Sequence, residues 1–162
     1  MTTDRPGDTR IEAPATLPTL RITREFAAPA ARVYRAWTEP GLVARWLGPR
    51  GLTLEIDAWD ARTGGRYRYT MWREGVQIAA FYGSFHELRP AERLVQTFTY
   101  EDVPDDVVLE TVTFTDLGPG RSRVTSTAVV DTVEARDAML AGGMEGGVVE
   151  GYRKLDELLA NG

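Results

Sequence analysis

The chain has 162 residues with 19 basic and 24 acidic side chains, giving a net charge of −5, no cysteine and one histidine, His86. That length suits one domain with a sizeable core, and the charge argues against nucleic-acid or anionic-membrane binding through overall electrostatics. Without cysteine there is no thiolate nucleophile, Cys-ligated zinc or iron–sulfur cluster, and one histidine excludes HExxH zinc sites; a carboxylate-only metal site stays formally open, though no metal and no cofactor is expected.

The N-terminus, MTTDRPGDTR, lacks the apolar core of a secretory signal, and no apolar run approaches the roughly 18 residues of a membrane span. The expected location is cytoplasmic, without membrane insertion. Residues 1–18 carry Pro6, Pro14 and Pro18 without apolar periodicity and read as a disordered tail, leaving 19–162 as the folded domain.

In TLRITREFA, Leu20, Ile22, Arg24 and Phe26 alternate against Arg21, Thr23 and Glu25, as in a half-buried strand. Pro29 then suits a helix start, Val33, Ala36 and Trp37 form a helical stripe, and Pro40 opens a second short helix carrying Leu42, Val43 and Trp46. Beyond Gly48-Pro49 the period changes to two. LTLEIDAW, GRYRYTMW, VQIAAFYGSFHEL, RLVQTFTYE, VVLETVTFTDL and SRVTSTAVV predict six strands separated by turn signals. Such short connections imply an antiparallel meander.

From Thr132 the pattern returns to helix. A break at 141–143 is expected, followed by a helix over 144–160 with Met144, Val148, Gly151, Tyr152, Leu155, Leu158 and Leu159 on one face. The expectation is an α+β fold: a seven-stranded curved antiparallel sheet, two short helices after its first strand, and a long C-terminal helix laid across it. The hydrophobic cavity between sheet and helix is the default ligand site.

The order and four stretches resemble the START-like (SRPBCC) helix-grip superfamily, and within it the family named for the activator of Hsp90 ATPase homologue domain. These stretches are RAWTEPGLVARWLGP (35–49), TGGRYRYTM (63–71), GSFHELRPAERLVQTF (83–98) and GGMEGGVVEGYRKLDELLA (142–160). Leu47 departs from the second aromatic of many relatives, and glycines at 142, 143, 146, 147 and 151 are unusual for the last helix. The resemblance implies roles as diverse as small-molecule binding, polyketide cyclisation, co-chaperone activity and self-resistance by sequestering reactive natural products, and fold alone does not choose among them.

On strand 107–117, Val108, Glu110, Val112 and Phe114 share a face. If inward, Glu110 is a carboxylate on an apolar wall, a candidate general acid or base. The cost of an unpaired buried carboxylate favours the outward alternative, with Leu109, Thr111 and Thr113 facing in. His86 is the other proton-transfer candidate, although the sequence offers it no partner and a surface position near the strand end is the blander expectation. Tyr67, Tyr69, Met71, Gln96, Phe98 and Tyr100 read as pocket wall or core, with Met144, Val148 and Tyr152 above and Trp46 at the mouth.

With no paired carboxylates and no triad, binding is preferred to catalysis. The expected protein is a monomer or homodimer holding an apolar or aromatic, lipid- or polyketide-like molecule. The alternatives are a cyclase-like enzyme using Glu110 and His86, or a resistance protein sequestering an enediyne-type compound. Hsp90 stimulation is not expected, because the upstream partner-binding domain of true Hsp90 activators has no counterpart in this sequence.

Overall fold

Alternation through the middle of the chain folds into strands largely where the pattern places them. In the computed structural model, which describes residues 7–161, β2 (Thr19–Phe26) leads into α1 (Ala30–Thr38) and α2 (Pro40–Trp46). There follow β3 (Thr53–Trp59), β4 (Arg66–Arg73), β5 (Val76–Arg89), β6 (Arg93–Tyr100), β7 (Val108–Gly118) and β8 (Arg121–Val129). The chain then enters α3 (Val133–Ala141) and α4 (Met144–Ala160).

The sheet has eight antiparallel strands, not seven. The additional one, β1 (Arg10–Glu12), lies in the segment expected to be a disordered tail and pairs with β2, Ile11 opposite Ile22. Three residues are too few for an alternation to show. Farther along, the buried Arg136 of α3 donates through Nη1 to the carbonyls of Pro14 (2.8 Å), Leu17 (2.9 Å) and Thr19 (3.0 Å), which pins the approach to β2. Residues 1–6 lie outside the described residues.

The order across the sheet is β1-β2-β8-β7-β6-β5-β4-β3. At the β3 edge, the pairing with β4 shifts register between Ile56 and Ala58. Among the described residues, no helix is long and apolar enough to cross a membrane.

Gly142 and Gly143 break the C-terminal helical region as expected, Gly143 taking the left-handed conformation (φ 82°) that most side chains avoid. The α4 helix then buries Gly151, Tyr152, Leu155 and Leu159 against the sheet and α2. It is fixed by an ion pair that the apolar pattern does not reveal. Arg24 on β2, its side chain only 4% exposed, donates Nη1 to Asp156 Oδ1 (2.7 Å) and Nη2 to Oδ2 (2.5 Å). The same guanidinium lies 4.8 Å from the centre of the Phe26 ring.

Glycines in α4 divide by contact. A Cβ on Gly151 would come 3.1 Å from the Trp46 carbonyl oxygen, so this residue lets α4 approach the end of α2 closely. A Cβ on Gly146 meets nothing within 4 Å. Gly146→Ala is therefore expected to stabilise the protein by about 0.5–1 kcal/mol through helix propensity, and Gly151→Ala to destabilise it, both read from denaturant midpoints. Asp156→Ala, which strands the buried guanidinium, is expected to cost about 3 kcal/mol. Adding Arg24→Met should recover much of that loss in a double-mutant cycle.

Candidate functional site

The concave face of the sheet is built from register partners. Gln96, Glu110, Ala128 and Leu20 stand side by side across β6, β7, β8 and β2. Tyr69, Phe81 and Tyr100 do the same across β4, β5 and β6. Phe81 links the two groups: its ring stacks on Phe98 at 5.1 Å and lies 5.3 Å from Tyr69. From above, Met144, Val148 and Tyr152 descend at four-residue spacing along α4.

Tyr67 reaches this face by a close approach of backbone. Its hydroxyl donates to the Thr97 carbonyl (2.5 Å), crossing β5 at Gly83, where a Cβ would lie 2.0 Å from that carbonyl oxygen and 2.6 Å from the phenol oxygen. Side-chain substitution at Gly83 is thereby excluded without a shift of β4 against β6.

Glu110 faces inward, overturning the outward orientation that desolvation cost favoured. Two features account for it. The Gln96 amide Nε2 donates to Glu110 Oε2 (3.2 Å), and the carboxylate keeps partial access to solvent, so it is neither unpaired nor sealed. Burial pushes its pKa up from the ordinary 4.5, with the Gln96 hydrogen bond pulling the other way. Its charge in turn acts on Tyr67, Tyr69 and Tyr152, whose pKa values are raised first by burial and then by Glu110.

Tyr69 and Tyr152 are only 4% and 5% exposed, yet among the described residues neither hydroxyl has a hydrogen-bond partner. Nor are these oxygens among the fully occluded unpaired atoms, which are Arg24 Nε, Arg93 Nε and Ser122 Oγ. The two phenol oxygens and the free oxygen of Glu110 therefore each keep some access, and Glu110 lies close enough to act electrostatically on both tyrosines. Half-buried Phe81, Phe98, Ala128, Met144 and Val148 supply the apolar surround.

The other sequence candidates lie elsewhere. His86 is exposed, turned out of the ladder where the β5–β6 register shifts between Phe85 and Glu87, and cannot share chemistry with Glu110. Trp46 is not at a mouth: it is 3% exposed, packs 4.6 Å from Trp37, and its indole N–H donates to the Ala36 carbonyl (2.8 Å). Met71, Val112 and Phe114 are sealed core, with Met71 against Gly48 and Phe114 against Tyr34. Tyr100 stands at the rim, its hydroxyl donating to Asp102 (2.7 Å).

Sequence reading missed Phe81 and Arg24 as functional supports, although the alternation of β2 already set Arg24 among inward residues. Two open depressions also indent the outer surface. One of about 390 Å³ lies between α2 and β3 and is lined by Pro40, Gly41, Ala44 and Trp59; the other, about 200 Å³, lies among Arg45, Arg50, Lys154 and Glu157. Neither lies between the sheet and α4. Among the described residues no group of three acidic or histidine side chains is placed to hold a metal ion.

A curved antiparallel sheet gripping one long helix, with a polar cluster beneath that helix, defines a helix-grip protein. The chain belongs to the family described as Activator of Hsp90 ATPase homolog 1-like protein, whose sequence profile matches residues 27–160, and the resemblance read from the motifs is borne out. Its structure is similar to that of a Rhodobacter sphaeroides protein (28% identity, TM-score 0.83, covering 94% of this chain and 98% of the other). It is also similar to a Chromobacterium violaceum protein (29%, 0.77, covering 88% and 96%). Similarity to an Hsp90 activator from Plasmodium falciparum (21%, 0.53, covering 68% and 71%) extends to the fold alone. No curated protein matches the sequence.

The raised pKa of Glu110 has a definite sign in stability. The native state binds this proton more tightly than the unfolded chain, so the contribution is fully present below the ordinary value of 4.5 and is lost as pH rises through the higher native value. Melting temperatures of wild type and Glu110→Gln are expected to converge near about pH 4, with the variant the more stable at about pH 8.

Proposed function

We propose that this protein binds a small organic molecule with an apolar, ring-containing body in the space between the concave sheet and α4. The observation that carries the reading is a set of accessible polar atoms without partners, the second oxygen of Glu110 and the hydroxyls of Tyr69 and Tyr152, coupled to one another inside an aromatic and aliphatic surround. Buried polar groups are ordinarily hydrogen-bonded, and a set left open toward one space fits a ligand whose polar group completes it. The rings of Tyr69, Phe81 and Phe98 suit a flat apolar body, consistent with lipid- or polyketide-like chemistry.

Binding without turnover fits better than the cyclase-like alternative. Proton shuttling between two groups would need a second titrating partner for Glu110; His86 lies outside, and burial and the Glu110 charge hold the neighbouring Tyr69 and Tyr152 hydroxyls protonated. Sequestration of a reactive natural product is a special case of the same binding. The Plasmodium protein called an Hsp90 activator shares only the fold, and Hsp90 stimulation forms no part of this reading.

A neutral fluorescent probe, N-phenyl-1-naphthylamine, tests the placement. Val148→Trp, which fills the space from α4, is expected to weaken probe binding about tenfold with the circular dichroism spectrum retained. Ala44→Trp, which fills the outer depression beside Trp59, should leave probe binding unchanged. The opposite pattern would move the site to the outer surface.

A further inference from the structure

The space beneath α4 carries a charge preference that its apolar surround does not suggest. Among the described residues, the hydrogen-bond partner of the Glu110 carboxyl is the neutral Gln96 amide. The one cation that acts on the cluster, Arg24, which bears electrostatically on Tyr152, has both terminal nitrogens committed to Asp156. The negative charge of Glu110 is thus left without a counter-ion.

The residues that register and electrostatics place around Glu110, namely Gln96, Ala128, Tyr69 and Tyr152, are neutral. The Tyr69 and Tyr152 hydroxyl oxygens can accept hydrogen bonds from a ligand. A positively charged nitrogen satisfies these features together: it pairs with the carboxylate and donates to the phenol oxygens. An anionic head group, as on a fatty acid, meets the opposite field.

We infer that the site beneath α4 selects ligands bearing a protonated amine on an apolar, ring-containing body, with Glu110 as the counter-ion. This rests on the binding reading above and specifies its ligand class. A cation beside Glu110 also offsets the desolvation that disfavours its charged form, so ligand and site relieve each other's cost.

Three probes with one ring and different heads separate the possibilities: 2-phenylethylamine, 2-phenylethanol and phenylacetate, each measured by displacement of N-phenyl-1-naphthylamine and by saturation-transfer NMR near neutral pH. The amine is expected to bind about tenfold more tightly than the alcohol, and phenylacetate more weakly than either. In Glu110→Gln the amine-to-alcohol ratio should fall to within about twofold, and Val148→Trp should weaken all three. Equal binding of alcohol and amine, or an amine preference that survives Glu110→Gln, overturns the amine assignment while leaving the binding site in place. Failure of all three to bind overturns both.

Discussion

The Arg24–Asp156 pair decides where α4 sits on the sheet. An apolar stripe packs almost as well after sliding one helical turn, about 5.4 Å, because its contacts are non-directional. A guanidinium buried on β2 and held by both oxygens of one carboxylate permits only one placement. Buried ion pairs add little net stability and are better understood as registers. Here the register sets Tyr152, one turn before Asp156, above Glu110, and with it the polar cluster that gives the concave face its chemistry.

Much of this was legible in the sequence, and the exceptions have identifiable causes. Period-two alternation located seven strands, and the glycines at 142 and 143 marked the helix break, because each signal is local and repeated. The face shared by Val108, Glu110 and Val112 was also readable; its direction was not. The cost of burying Glu110 depends on Gln96 and on partial solvent access, both of which come from strands that meet only in the folded sheet. His86 was displaced by a bulge, which breaks the alternation from which its face would be read. Trp46 could not be separated from a mouth residue by pattern, since its burial depends on Trp37, Tyr152 and the Ala36 carbonyl together.

The composition acquires a specific meaning in this setting. A chain with one histidine and no cysteine has few ways to place a reactive group inside, and its single histidine is outside. The polarity around Glu110 falls to carboxyl, amide and phenol groups, which can hydrogen-bond a ligand's head group. Family membership supplies the scaffold, while under the proposed reading the residues around Glu110 supply the selectivity.

The two ends of the sheet also bear on how copies of the protein behave in concentrated solution. An open antiparallel sheet offers unpaired backbone groups at its outer strands, an invitation to fibrous stacking. One outer strand here, β1, spans only three residues, and the other, β3, is kinked by the register shift at Ile56–Ala58. Neither offers a long, flat template to another chain. The fold thus keeps its edges unattractive for backbone pairing with the same two irregularities that local periodicity was least able to foretell.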